Sequence, residues 1–356
     1  MQIISLDGST YHQGFLHGKG LKTEIENNVA VYFERFRLEG ELEREEVLRR
    51  AGLFADSIER QTPAYADGME GIAEGSGLPY LDIVALNVRY ELLYHQYTSL
   101  AVDGCTSFAV MPEASRDGEL LMGQNWDWIP QTEGALLLTM HDNGNTTIAF
   151  TEAGIFGGKI GFNSHGAALG VNGLLSTQDD WSKLEIPFHV RCWMALNADS
   201  PDGMRQALIG TPRSCSANFM VAFGSEAAFD LETAPNAYRE LEPVNGRLVH
   251  TNHFLDPSAV PVEEPPNEAR ERSRHRFKRM SEFFENSEKI SLDDLKGFLI
   301  DHDGWPWSIC RHEDATIPPQ DRSITVCSVI ICPAEGWMEI SDGPPCQSTY
   351  LRFGLA

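Results

Sequence analysis

Gly104-Cys105-Thr106-Ser107 carries the residue types of a self-activating nucleophile. A cysteine thiol can attack the carbonyl of the residue before it when the backbone is held strained. The peptide then shifts to a thioester, which water hydrolyses. Glycine at 104 suits such a bond, because without a Cβ it accepts unusual backbone angles and lets the nucleophile come close. A cut between Gly104 and Cys105 would give Cys105 a free α-amino group, with an ordinary pKa of about 7.7–8.0 that makes it a general base near neutral pH. Thiol and base then sit on one residue. Asp103 precedes the pair, and Phe108-Ala109-Val110-Met111 follows as an apolar stretch, which places the nucleophile at the tip of a buried strand. Gly-Cys-Thr alone is unspecific, since most free cysteines are small buried hydrophobes.

Two further stretches could serve that chemistry. Gly123-Gln124-Asn125-Trp126-Asp127-Trp128 combines indoles, amides and a carboxylate at a strand end. It reads equally as an aromatic-walled site, with Trp126 as a substrate wall, or as a core strand with a polar tip. In the functional reading Asp127 hydrogen-bonds the new ammonium or the thiol of Cys105. Val249-His250-Thr251-Asn252-His253 closes another strand, and the Asn252 amide is the candidate donor to a developing oxyanion, a role typically worth several kcal/mol. A rival reading of this stretch is zinc, because His302 and His312 lie further on. Histidines three apart on a strand point to opposite faces, so His250 and His253 cannot chelate together, and no metal is expected.

Other motifs are weaker. The glycine-rich run from Thr151 to Asn163 is not a phosphate loop, because Ile160 follows Lys159 where Ser or Thr should hold magnesium. Its glycines are expected to permit close strand packing. Trp305-Pro306-Trp307 either walls an acyl pocket or fills a core. Arg322 either binds a carboxylate or phosphate or pairs with a nearby acid.

The chain has 356 residues, enough for one large domain or two moderate ones. Its formal charge of -24 repels nucleic-acid phosphate and anionic membranes, so neither is an expected partner. The seven cysteines form no CxxC pair, which argues for reduced thiols. No apolar run approaches the roughly 18 residues of a membrane span. Met1 to Gly8 reads as a first strand and not as a signal peptide, and the C-terminus is not an SKL-type address, so cytoplasm is the expected location.

Residues 10–100 show helical spacing through Tyr11, Phe15, Leu21, Ile25, Val29, Tyr32 and Phe36, with breaks at Pro63 and at 75–79. From Cys105 the period becomes two, predicting strands at 106–111, 119–127, 135–141, 146–151 and 160–173. Helices are expected at 187–197 and 201–209, the latter with Ser200 as N-cap and Pro201 in the first turn. Strands at 216–223, 227–232, 237–242 and 247–251 follow, the last two joined by a tight Asn245-Gly246 turn. After a Pro- and Glu-rich linker come helices at 268–285 and 291–300, then strands at 322–332, 336–341 and 349–353. This order predicts an α+β fold of two stacked antiparallel sheets covered by helices, and not a doubly wound parallel sheet.

Taken together, these stretches resemble the isopenicillin N acyltransferase (acyl-CoA:6-aminopenicillanic acid acyltransferase) family of N-terminal-nucleophile hydrolases. The blocks that carry the resemblance run in order along nearly the whole chain: Gly14-x-x-His17-Gly18, Asp103-Gly104-Cys105-Thr106, Gly123-Gln124-Asn125-Trp126-Asp127, Thr151-Glu152-Ala153-Gly154, Gly161-Phe162-Asn163-Ser164, Asn245-Gly246-Arg247, Val249-His250-Thr251-Asn252-His253 and Ser308-Ile309-Cys310-Arg311. The resemblance implies an αββα sandwich and cleavage before Cys105. Residues 1–104 would form an α segment and 105–356 a β segment, joined in one domain as an α/β heterodimer from one precursor. It implies a thioester acyl-enzyme, with Cys105 as nucleophile and base, Asn252 in the oxyanion hole, Asp127 near the amine and Ser107, Thr233, Arg322 and Trp126 as substrate contacts. Thr233 stands where the penicillin enzyme has a serine, and Asp321 replaces another just before Arg322, so the substrate is not carried over.

The expected function is therefore an amidohydrolase or acyltransferase that takes the acyl group of a small N-acyl amide or an acyl-CoA and passes it to water or an amine, with no cofactor. The rival from another class is an uncut binding protein with the same fold, and a metal hydrolase stands third.

Overall fold

A computed structural model describes residues 1–94, 104–265, 269–318 and 321–355. Asp103 lies outside the described residues.

After β1 (Gln2–Leu6) the chain runs through helices α1 (Thr10–Gly20), α2 (Lys22–Leu38), α3 (Arg44–Gln61), α4 (Pro63–Ser76), α5 (Tyr80–Asn87) and α6 (Arg89–Tyr94). Their ends are chemically marked. Ser9 caps α1 by accepting from the His12 N–H, Pro63 opens α4, and Gly77 closes it at φ 73°. Glycine decides how α1 and α4 meet. A Cβ on Gly14 would lie 2.0 Å from the Gly68 carbonyl oxygen, and one on Gly71 would lie 2.1 Å from that of Tyr11. The two backbones touch, and no larger residue fits at the crossing. His17 lies on this face, fully buried, and its Nε2 accepts the Gly154 N–H at 3.0 Å. The first family-like block is thus a helix-crossing motif and an anchor for the turn after Glu152.

From residue 106 onward two sheets build the molecule. The larger, in the order β1-β4-β5-β6-β7-β8-β9-β10, uses β4 (Gly134–Met140), β5 (Thr146–Glu152), β6 (Ile160–Asn163), β7 (Ala167–Gly173), β8 (Ala217–Phe223), β9 (Ala227–Ala234) and β10 (Ala237–Leu241). The smaller, β11-β2-β3-β12-β13-β14, uses β2 (Thr106–Val110), β3 (Leu121–Trp128), β11 (Arg247–His250), β12 (Ile324–Cys332), β13 (Trp337–Asp342) and β14 (Leu351–Gly354). The sheets stack through β2 and β3 against β7 and β8. Helices α7 (Phe188–Leu196) and α8 (Pro201–Ile209) cover the outer face of the large sheet, and α9 (Ala269–Glu285) and α10 (Leu292–Leu299) that of the small one. The αββα layering is as expected. Alternation explains it: Phe108 and Val110 of β2 pack with Met280, Phe284, Leu295 and Leu299 of the outer helices, while Ala109 joins the core between the sheets. Among the described residues no helix is long and apolar enough to cross a membrane.

Three expectations change. The strand over 160–173 is two strands, because Gly166 turns the chain at φ 91°. Asn245-Gly246 does form a tight turn, with φ 52° and 72°, but it bridges only Val244 and Arg247. β10 edges the large sheet and β11 the small one, so this turn carries the chain between sheets and makes no β10–β11 hairpin. Pairing is antiparallel except that β1 lies parallel to β4, which the long helical crossover between them allows.

Three predictions come from these positions. Gly71→Ala should destabilise the protein by about 1–3 kcal/mol through the α1–α4 clash. Gly52→Ala in α3, where an added Cβ meets nothing within 4 Å, should stabilise it by about 0.5–1 kcal/mol; thermal unfolding of the pair checks both signs. Burial lowers the His17 pKa from the usual 6.5 to about 4, so the folded state holds the ring neutral. Its contribution is complete above pH 6.5 and is lost as pH falls from there to about 4, by roughly 3 kcal/mol. His17→Gln keeps an acceptor that does not titrate, so the stability difference between wild type and variant should shrink or reverse across that window.

Candidate active site

Strand register assembles the site. Thr106 pairs with Asn125, which continues Cys105 onto Trp126 and Gly104 onto Asp127. On the other side of β3, Asp127 pairs with Thr325 and Trp126 with Cys327. Gly104 lies so close to its neighbour that a Cβ there would meet the Asp127 Cβ at 2.8 Å and the Asp127 carbonyl oxygen at 3.0 Å. Glycine at 104 is therefore required by close approach across the strands.

The Gly104–Cys105 bond is clamped from both sides. The Gly104 N–H donates to Asn252 Oδ1 at 3.1 Å. The Cys105 carbonyl accepts from Arg276 Nη1 at 2.6 Å, and Arg276 Nη2 donates to the same Asn252 Oδ1 at 3.1 Å. Arg276 also reaches Thr106 Oγ1 at 3.1 Å. Asn252 is itself held: its Nδ2 donates to the Gly173 carbonyl at 3.1 Å and its backbone N–H to Ser273 Oγ at 2.7 Å. Asn252 is thus brought beside the Gly104–Cys105 pair, through the Gly104 N–H and Arg276. Arg276 and Ser273 were missed. A signal existed: Ala269, Ser273, Arg276, Met280 and Phe284 form one buried stripe of α9, and an arginine in an apolar stripe marks a position chosen for more than packing.

Cys105 is 6% exposed and faces the space between the sheets. Burial, reinforced by the nearby Asp127 carboxylate, pushes its thiol up to about 11, against the opposing pull of Arg276 and Lys159. Its Sγ lies 3.8 Å from the Asp127 main-chain oxygen. The Asp127 carboxylate points instead to the outer face of the small sheet, where Oδ1 accepts from Thr325 Oγ1 at 2.6 Å and Oδ2 lies 3.5 Å from Arg311 Nε. The expected hydrogen bond from the Asp127 carboxylate to the Cys105 thiol is replaced by a charge one layer behind Cys105. Alternation along β3 is the reason, since Trp126 and Asp127 must face opposite ways.

Trp126 lies opposite Cys105, and the Lys159 ammonium sits 3.3 Å from its ring centroid. Burial lowers the Lys159 pKa to about 8 against the pull of Glu152, with which it pairs. Glu152 also takes Arg89 on the same oxygen and the Tyr32 hydroxyl on the other, and Tyr32 accepts from Trp128 Nε1 at 2.6 Å. Although burial opposes its charge, Arg89 and Lys159 hold Glu152 far below the usual carboxylate range. The glycine-rich run around Lys159 is close-packed as expected: a Cβ on Gly161 would lie 2.3 Å from the Ile148 carbonyl oxygen.

Ser107 points to the same side as Cys105 and donates to Asn172 Oδ1 at 2.7 Å. Asn218 links Asn172 to Asp230 at 3.2 and 2.8 Å, and His250 reaches Glu232 at 3.0 Å. All six are buried between the sheets. Ser107 is therefore committed to a polar chain beside Cys105. His250 is part of it, and His253 turns to Ser273 at 2.8 Å, so these two histidines do not converge.

Two expected substrate contacts lie elsewhere. Thr233 pairs with Ala217 on the helix-covered face of the large sheet, donates to the Ala217 carbonyl at 2.8 Å, and lines a cavity of about 10 Å³ with Glu91, Arg191 and Arg213. Asp230 and Glu232 take the face between the sheets, so Thr233, one residue on, cannot. Arg322 is spent on the 313–317 loop, donating to Ile317 and Ala315 carbonyls and pairing with Glu313 at 3.0 Å. The arginine beside Asp127 is Arg311, from a block noted for its resemblance but given no role.

Residues 114–343, well over half the chain, match the family described as Acyl-coenzyme A:6-aminopenicillanic acid acyl-transferase. The chain belongs to that family. It is 30% identical over 321 residues to the acyl-coenzyme A:6-aminopenicillanic-acid-acyltransferase 40 kDa form of Emericella nidulans, covering 86% of this chain and 84% of that protein. Among solved structures it is similar to a Caenorhabditis elegans N-acylethanolamine-hydrolyzing acid amidase ortholog, at 13% identity, a TM-score of 0.47 and coverage of 65% and 93%. A conjugated bile acid hydrolase from Clostridium perfringens gives 12% identity, a TM-score of 0.45 and coverage of 67% and 89%.

Proposed function

We propose that this family member is an autoprocessed enzyme of acyl transfer or amide hydrolysis with Cys105 as its nucleophile. The clamp on the Gly104–Cys105 bond is the observation that carries this reading. Arg276 fixes the carbonyl after the bond and Asn252 the N–H before it, so both residues that flank the bond are held in place in a buried site.

In the first event Cys105 Sγ adds to the Gly104 carbonyl carbon, the C–N bond breaks, and the nitrogen takes the thiol proton as the α-amine of Cys105. Water then hydrolyses the Gly104 thioester, releasing a carboxylate and the thiol. Residues 1–104 and 105–356 remain together as the α and β segments. In turnover the Cys105 amine accepts the thiol proton as Sγ attacks a small N-acyl amide or an acyl-CoA. It returns the proton to the departing amine or thiol, and the acyl thioester passes its acyl group to water or an amine. Asn252 donates to the oxyanion through Nδ2. Asp127, bound to Thr325 and facing Arg311, places a fixed negative charge behind the ammonium. Trp126 walls the site opposite Cys105.

Intact mass tests the reading directly. Wild type should separate into two chains divided before Cys105, while Cys105→Ala stays whole; a folded wild type that remains uncut removes the base from the mechanism and leaves a binding protein. Arg276→Lys supplies one charge but not the planar fork that reaches Cys105, Thr106 and Asn252 together. It should slow precursor cleavage by about 100-fold in protein whose circular dichroism remains that of the folded chain.

A further inference from the structure

Four metal-ligating side chains meet away from Cys105. His302, Cys310 and His312 lie on the loop after α10, and Cys346 on the turn between β13 and β14. His302 Nε2 is 3.1 Å from His312 Nε2. Cys310 Sγ is 3.6 Å from His312 Nε2 and 3.6 Å from Cys346 Sγ, and Cys346 Sγ is 3.1 Å from His312 Nε2. All four donor atoms fall within 4.8 Å of one another.

The four close separations suit a tetrahedral ion, and the looser spacing of up to 4.8 Å within the set would tighten on binding. Zinc–sulfur bonds of about 2.3 Å and zinc–nitrogen bonds of about 2.0–2.1 Å require S···S near about 3.8 Å, S···N near about 3.5 Å and N···N near about 3.3 Å. A thiol–imidazole contact would account for any one pair, but not for four donors converging on one point. Two sulfurs and two imidazole nitrogens form a donor set that suits zinc. Four protein ligands leave no open coordination position, which makes the site structural and not catalytic. Trp305 stacks 5.3 Å from the His312 ring and shields one side, while His302 and Cys346 reach the surface and give the ion a way in.

We infer that His302, Cys310, His312 and Cys346 bind one structural zinc ion that ties the 302–312 loop to the β13–β14 turn. The loop so fastened is the one that serves the candidate active site. Arg311, between two of the ligands, donates its main-chain N–H to Thr325 Oγ1, accepts the Thr325 N–H on its carbonyl, and faces Asp127. Binding converts the two thiols to thiolates and releases their protons.

The test is metal content in protein purified in reductant, without chelator and through a tag free of histidine. Wild type should carry about one zinc per chain, or take up that amount when zinc is added. The exposed ligands allow variants that spare the core: His302→Ala with Cys346→Ser should lower zinc by about tenfold or more. Cobalt(II) in place of zinc should give thiolate-to-metal charge-transfer absorption in wild type and lose it in Cys346→Ser. Reduced wild type that binds no zinc, zinc content unchanged in the double variant, or a Cys310–Cys346 disulfide in freshly purified protein overturns the proposal.

Discussion

Glu152 is fully buried, with Arg89 and Lys159 on one oxygen and the Tyr32 hydroxyl on the other. A lone carboxylate so placed would cost several kcal/mol, and removing either cation would leave an uncompensated charge, typically a loss of about 3–5 kcal/mol. The arrangement survives because every member satisfies another. Tyr32 and Arg89 come from the segment before Cys105, and Glu152 and Lys159 from the segment after it. The cluster therefore joins the two pieces that cleavage would create, and it does so beside Trp126, the residue opposite the candidate nucleophile. β1 makes the same join from the sheet side, as the edge strand paired to β4. A cut at Gly104–Cys105 would thus remove a covalent link where buried charge and strand pairing already hold.

How much was legible in the sequence follows from which contacts are local. Periodicity located the described helices and strands closely, because each side of an element has one environment. The closeness of Gly104, Cys105 and Asn252 was legible because strand ends and small polar residues carry their own signal. Arg276 was hidden in a charged helix, and only its place in the buried stripe sets it apart from its neighbours. Thr233 and Arg322 were misplaced for a different reason. Correspondence along a chain does not say which face of a strand a side chain takes, and a shift of one residue reverses it. The four converging His and Cys residues were unreadable as a set, since their spacing matches no local chelate and one of them belongs to a distant turn. The expectation of no metal had weighed His250 and His253, which the fold sends to different partners.

Burial of the thiol constrains the proposed chemistry most. With its pKa pushed up to about 11, Cys105 in the unbroken chain stays a protonated thiol at neutral pH. Proximity can offset that once, because attack on the adjoining carbonyl is intramolecular, and effective molarities of about 10⁵ M or more are available to well-oriented groups. Repeated turnover on an outside amide has less of that advantage and needs a base. The α-amine that cleavage would release would supply one on the same residue, in front of the negative charge of Asp127. Departure of the Gly104 N–H would also leave Asn252 Oδ1 with Arg276, so the amide stays oriented while one Nδ2 hydrogen remains on the Gly173 carbonyl and the other is open to an oxyanion. In the proposed chemistry the same few contacts would hold the bond to be broken first and the site used afterwards, and the base released by the cut would separate a single event from catalysis.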